Sequence, residues 1–236
     1  MKELLVAKEA AAEAGKILLS LFGKVTDIRS KKEYDFVTEA DIAAERAIIA
    51  RIKESFPADN IHSEELHPEM NSLQDTWILD GLDGTNNYVT GLPIFGVNVA
   101  CVRGGQIIAA AVYIAPRDEM LWADYETDGA FCNGEEIHVS KQTNLRVGGG
   151  SVTLAPFKDP KTEMRLLPLM RTSGRIRNTG AACFDLSMVA RGAYDFRVCF
   201  PEKAVDVAAP FLLIEKAGGK VTNLDGSALD LSTGAW

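Results

Sequence analysis

Leu4, Leu5, Ala11, Ala14, Leu18 and Leu21 recur at helical spacing across residues 3–22, and Gly23 follows as a stop, so this pattern predicts a first helix. A polar, basic stretch from Arg29 to Asp35 reads as an exposed loop. Beyond Thr38, the apolar positions Ile42, Ile48, Ile49, Ile52 and Phe56 return at helical intervals as far as Pro57, which predicts a second helix. A strand or loop is expected at Asn60–His62. From Trp77 to Val102 the texture becomes strand-like: the runs WILD and IFGVNVACV are separated by the turn-rich GLDGTNNYVTGLP. Gly104-Gly105 closes a hairpin into IIAAAVYIA. A strand at Met120–Ala123 and the Asn133-Gly134 turn before IHVS extend an antiparallel meander.

The second half alternates. Strands are expected at Ser151–Leu154, near Ile176 and at Tyr194–Cys199. Helices are expected around Glu163–Met170, from Ala181 to Arg191 before Gly192, and at Val207–Ala217 before Gly218-Gly219. This order predicts an α+β protein with helices and sheets in layers. The pattern breaks near Lys141–Gly150, dividing the chain into an N-terminal half, residues 1–145, and a C-terminal half, 146–236.

A length of 236 residues is enough to bury a sizeable core. The formal net charge of −8 opposes binding to a nucleic-acid backbone or an anionic membrane, and neither is expected as a partner. Charged residues interrupt the start of the chain, which lacks the apolar core of a signal peptide, and no later run is long enough to span a bilayer. Cys101, Cys132, Cys183 and Cys199 lie far apart among apolar neighbours without CxxC pairing, as expected of buried, reduced thiols in a cytoplasmic protein.

An acidic chain that binds phosphate needs metal ions or a local cluster of donors. The stretch Asp80-Gly81-Leu82-Asp83-Gly84-Thr85 follows an apolar strand directly, so its two carboxylates can turn into one pocket, and hard Mg²⁺ prefers such oxygen ligands. The amides of Gly84 and Thr85 would open a short helical turn, a ready anion site. A solvated Asp/Gly turn has the same composition. Ser63-Glu64-Glu65 adds carboxylates that as readily suit a surface loop. Asp206 opens the last predicted helix, as an N-cap or as a ligand. Thr38-Glu39-Ala40-Asp41 has the spacing of a capping box and serves that role, a catalytic one, or both. His62 and His67 lack the spacing of zinc ligands, His138 reads as structural in a strand, and Gly148-Gly149-Gly150 lacks the Lys-Ser/Thr of a nucleotide loop and reads as a hinge or turn.

Five ordered motifs carry a resemblance: Phe36-Val37-Thr38-x-x-Asp41, Ser63-Glu64-Glu65, Trp77-Ile78-Leu79-Asp80-x-Leu82-Asp83-Gly84-Thr85, Gly129-Ala130-Phe131-x-Asn133-Gly134, and Asp206-Val207-Ala208-Ala209 with Gly218-Gly219. Together they resemble the lithium-sensitive inositol monophosphatase family across nearly the whole chain. That resemblance implies the layered αβαβα sugar-phosphatase fold, usually dimeric, and Mg²⁺-dependent hydrolysis of a small phosphorylated sugar or cyclitol by a metal-activated water. Glu64, Asp80 and the Leu82 carbonyl would hold one Mg²⁺, and Asp80, Asp83 and Asp206 a second. Asp41 would support a third and hydrogen-bond Thr85, while Glu64 and Thr85 would position the attacking water. Gly84, Thr85 and Arg177 are candidate substrate contacts, as are Gly180, Ala181 and Ala182 through backbone amides at the start of a predicted helix. By the same resemblance, most metal ligands lie in the first half and the second half completes the site.

The chain departs from the family at Gly81 for proline, Asn86 for threonine, Val205 for tryptophan, and Cys199 for an acid that binds cyclitol hydroxyls. It ends at Trp236, where members often continue through one more strand or helix, leaving a compact member or a shortened chain as alternatives. Arg171, Arg175 and Arg177, with Arg197 and Lys203, form either a solvated basic face or donors for a second phosphate, as in the related fructose-1,6-bisphosphatases. Inositol monophosphate is the leading substrate expected and fructose 1,6-bisphosphate the next. The rival from another class is a non-catalytic regulatory protein that binds metal or phosphate.

Overall fold

Helix α1, Lys2–Leu21, buries Leu4, Ala7, Ala11, Ala14 and Leu18 along one stripe. Leu5, expected on that stripe, faces solvent. The structure, a computed structural model, describes the chain apart from residues 33–34, 71, 154–159, 200–201 and 230–236. Helix α2, Glu39–Ser55, starts at the expected cap. The Thr38 hydroxyl accepts from the Ala40 amide at 3.1 Å and the Asp41 carboxylate accepts from the Thr38 amide at 2.9 Å.

The segment before α2 differs from expectation. Strands β1, Ile28–Lys32, and β2, Asp35–Thr38, pair antiparallel where an exposed loop was expected, with residues 33–34 outside the described set. Ile28 through Lys31 are all exposed, so no alternation of burial was written into the sequence.

The main sheet is seven-stranded. Its members are β3 (Asn60–Ser63), β4 (Thr76–Asp83), β5 (Gly96–Arg103), β6 (Gln106–Ile114), β7 (Glu119–Asp124), β8 (Ala130–Cys132) and β9 (Glu135–Ile137), in sequential order. All neighbours run antiparallel except β3 and β4, which are parallel. The expected meander is therefore present, and His138 follows its last strand with an exposed side chain. Strand β4 is buried throughout and continues through Asp80 and Asp83, where a turn was expected. Its register with β5 slips between the two aspartates. The turn chemistry acts one residue later: Gly84, at φ +97°, leads into helix α3, Thr85–Thr90.

Helices α1 and α2 cover one face of this sheet, meeting Trp77, Leu79, Val97, Val99 and Tyr113. Helices α5, Ala182–Ala190, and α6, Ala204–Lys216, cover the other, meeting Ile78, Ala100, Val112 and Leu121. Burial on both faces explains why its central strands read as continuous apolar runs. A second, parallel sheet has the order β11-β10-β12, with β10 at Gly149–Val152, β11 at Arg175–Arg177 and β12 at Phe196–Val198. Helix α4, Pro160–Thr172, connects β10 to β11, and β12 touches α5. Helices and sheets thus alternate in the expected α+β layering.

The β10 strand was expected to reach Leu154, which lies outside the described residues, as does Trp236. Gly149 and Gly150 begin that strand instead of forming a hinge or turn. A side chain at Gly150 would meet the Phe196 carbonyl at 2.2 Å, so glycine permits the strand contact. Cys101, Cys132 and Cys183 are buried, Cys199 is half-buried, and all four are free. Among the described residues no helix is long and apolar enough to cross a membrane.

Candidate active site

Three elements bring four acids to one place. Glu64 follows β3, Asp80 lies in β4 with Asp83 at its end, and Asp206 is the third residue of α6. Asp206 is therefore not the N-cap itself. From the first turn its carboxylate reaches back to the Lys203 amide at 3.2 Å. One oxygen from each of Glu64, Asp80 and Asp206 lies within 4.8 Å of the others. These acids line a cavity of about 230 Å³ together with Leu82, Gly84 and Thr85.

The electrostatics of this group are unfavourable without a cation. Burial raises the Asp80 carboxyl well above the usual carboxylate range, and Glu64, Asp83 and Asp206 raise it further. Asp206 is raised by burial and then by Asp83 and Glu64. Burial opposes ionisation of Glu64 too, but Lys203 and Lys31 outweigh it and hold that group low. Their ammonium groups stand 2.7 Å and 3.3 Å from Glu64 Oε1. An all-oxygen set of mutually repelling carboxylates, Asp80 buried and Glu64 and Asp206 half-buried, matches the donor preference of a hard divalent cation, so the residues fit such an ion.

Asp83 has a different environment. It accepts from Ala182 N at 2.9 Å, from Cys183 N, and from the Asn98 amide at 3.4 Å. Burial pushes it up to about 6, and the Cys183 and Ala182 amides oppose the rise. The Ala182 N–H, expected to face substrate, is thereby directed to Asp83. Gly180 and Ala181 line the cavity beside it.

Asp41 lies beneath the site and accepts from the Thr85 hydroxyl at 2.9 Å, while the Leu82 carbonyl stands 3.1 Å from the same oxygen. Of the basic residues, Arg197 and Lys203 line the cavity. Arg177 stands apart, its guanidinium 5.2 Å from the Tyr194 ring centre. Arg197 donates to the Ala182 carbonyl at 3.0 Å and to Glu202, while its buried Nε has no partner among the described residues.

Several residues at the site were not anticipated. Asn98 is fully buried in β5, and its signal was one amide inside the apolar run VNVAC. Glu45 follows Asp41 by one helical turn, a spacing visible in the sequence. Glu202 and Asp185 gave no local signal, since their partners Arg197, Ser151 and Thr179 come from other elements.

The chain matches the inositol monophosphatase family over residues 1–235. It is 36% identical over 235 residues to a fructose-1,6-bisphosphatase/inositol-1-monophosphatase of Aquifex aeolicus, covering 94% of this chain and 85% of that protein. Identity is 34% over 236 residues to an inositol-1-monophosphatase of Mesorhizobium japonicum, covering 98% and 88%. It is also 34% over 233 residues to the Nus factor SuhB of Pseudomonas aeruginosa, covering 94% and 85%. Among solved structures, the Thermotoga maritima IMPase superposes with a TM-score of 0.89 at 32% identity, covering all of this chain and 91% of that one.

Proposed function

This chain belongs to the inositol monophosphatase family, and on that premise we propose that it hydrolyses inositol monophosphate with Mg²⁺ held by Glu64, Asp80, Asp83, Asp206 and the Leu82 carbonyl. At the coarser level it is a metal-dependent phosphomonoesterase acting on a small phosphorylated sugar or cyclitol. The observation that carries the metal-dependent reading is the gathering of Glu64, Asp80 and Asp206 at one cavity.

A divalent cation bound there would make water a stronger nucleophile and draw charge from the phosphoryl oxygens. The chain's own groups supply position. Asp41 takes the hydrogen bond of the Thr85 hydroxyl, leaving that oxygen free to accept from a water and orient it. Burial raises the Asp41 carboxyl, which suits it to receive a proton passed through Thr85. Gly84 and Thr85, at the start of α3, line the same cavity, and amides there would suit a phosphate. Gly180 and Ala181 flank the remainder of the substrate.

A second substrate, fructose 1,6-bisphosphate, is favoured by one feature: two cationic side chains, Arg197 and Lys203, line the cavity that holds the acids. Measuring phosphate release from inositol 1-phosphate and fructose 1,6-bisphosphate in one assay, with and without Mg²⁺ and with added Li⁺, tests both. Faster Mg²⁺-dependent turnover of the inositol ester, inhibited by Li⁺, is expected. Preference for the bisphosphate would move the assignment to the second substrate, and no Mg²⁺-dependent release from either would overturn both.

A further inference from the structure

Glu45 is fully buried in α2, and its carboxylate is surrounded by donors from a single short segment. Its Oε1 accepts from the Glu65 amide at 2.8 Å, and its Oε2 accepts from the Ser63 hydroxyl at 2.8 Å and the Leu66 amide at 2.9 Å. The segment closes on itself around this carboxylate. Ser63 N donates to the His67 carbonyl at 2.9 Å, and His67 N donates to the Ser63 hydroxyl at 3.0 Å. On its other side Glu45 packs against the strand that carries Asp80 and Asp83. A side chain at Gly81 would lie 2.8 Å from Glu45 N and 2.9 Å from its Cγ.

We propose that Glu45 is a positioning residue for the metal site, holding the Ser63–Leu66 turn so that the carboxylate of Glu64 meets those of Asp80 and Asp206. The residues on both sides of Glu64 bond to Glu45, so the Glu64 backbone is pinned from each end. Glu45 itself stays outside the cavity. Its contact with Gly81 makes one side chain the spacer between the two ligand-bearing segments.

An apolar residue would fill this space without the cost of burying a charge. A carboxylate adds acceptors facing two neighbouring backbone amides and a hydroxyl at once. Glutamine lacks that capacity, because one of its two ends is a donor and would face an N–H. Supporting groups of this kind act through the ligand they orient, and their loss weakens metal affinity more than it alters the fold.

The inference rests on the metal reading above, and the test separates the two. Mg²⁺ binding is measured by titration calorimetry on the wild-type chain, on Glu45→Gln, and on Ile52→Val, a buried change farther along α2 that serves as a stability control. Glu45→Gln is expected to raise the Mg²⁺ dissociation constant about tenfold or more. Activity at saturating Mg²⁺ should recover with an unchanged KM for substrate, while Ile52→Val binds Mg²⁺ as wild type does. Ser63→Ala removes one of the three donors and should raise the constant by between about twofold and tenfold, which keeps the test decisive if Glu45→Gln does not fold. Wild-type affinity in a folded Glu45→Gln, or in Ser63→Ala where Glu45→Gln does not fold, would overturn the positioning role alone. A loss of affinity in Ile52→Val equal to theirs would do the same. A wild-type chain that binds no Mg²⁺ would overturn the metal reading and this inference with it.

Discussion

Two groups of acids, one on α2 and one across β4 and α6, are treated oppositely by the fold. In α2, Asp41 and Glu45 are each enclosed by donors: the Thr38 and Thr85 hydroxyls and the Thr38 amide for one, Ser63 and the Glu65 and Leu66 amides for the other. Across β4 and α6, the buried Asp80 and the half-buried Asp206 stand beside further carboxylates, Glu64 and Asp83, whose charges raise both. The first pair has its hydrogen-bond acceptors met within the polypeptide, although burial still raises both carboxyls. The second needs further positive charge: Lys203 pairs with Glu64 and offsets only part of the rise at Asp206, and Lys31 is shared between Glu64 and Glu65. Burial by itself therefore does not distinguish a supporting acid from a ligand; the identity of its neighbours does.

The largest effect that would sharpen this contrast is on catalysis. Asp80→Asn should lower Mg²⁺-dependent phosphate release by about a thousandfold or more, measured beside thermal unfolding of the metal-free protein. Because the change removes repulsion, the unfolding temperature should stay the same or rise. Asp41→Asn tests the other side with the same chemistry. It replaces an acceptor with a partial donor facing the Thr38 and Thr85 groups, and should cost about 1–3 kcal/mol of stability in denaturant titration.

Next in size is the pH dependence. Burial pushes the Asp83 carboxyl up to about 6 in the folded protein, from an ordinary value of 3.8. Between these values the folded chain keeps a proton that the unfolded chain has released, so stability attributable to this group falls as pH rises. The change is roughly 3 kcal/mol across the window. Burial moves Asp80 and Asp206 in the same direction. Denaturant titrations of chelator-treated protein at pH 4 and pH 7 should show this loss, and Asp83→Asn should reduce it.

Added Mg²⁺ should act in the opposite sense at pH 7. At a hundred times its dissociation constant it would stabilise by about 2.7 kcal/mol, read as a rise in unfolding temperature that Asp80→Asn does not show. The smallest effect is expected at Arg177, outside the cavity lining and against Tyr194. Arg177→Ala should change KM by no more than about twofold, within the range of an ordinary surface substitution. A larger change would place substrate farther along the second sheet than the cavity suggests.

Much of the layered fold was legible because its helices keep their period and its central strands read as continuous apolar runs bounded by turn residues. The acids stood out because Glu64, Asp80 and Asp83 follow or end strands and Asp206 lies in the first turn of a helix, where the apolar pattern changes. What was less legible depends on partners distant in sequence. The β1–β2 hairpin carries no burial alternation, and β4 passes through its aspartates by shifting register against β5. Gly149 and Gly150 looked like a hinge because the neighbouring strands that require them, β11 and β12, come later in the chain. Asp83 meets the start of α5, a pairing across about a hundred residues that no local pattern announces. Arg197 was read within a basic cluster, yet its guanidinium is tied to Glu202, Thr153 and the Ala182 carbonyl.

The most direct measurement is anomalous diffraction from crystals grown with Mn²⁺ in place of Mg²⁺. A cation peak about 2.1 Å from carboxylate oxygens of Glu64, Asp80 and Asp206 is the predicted result. Anomalous density only elsewhere on the protein, with these carboxylates turned apart, would contradict their assignment as the metal site.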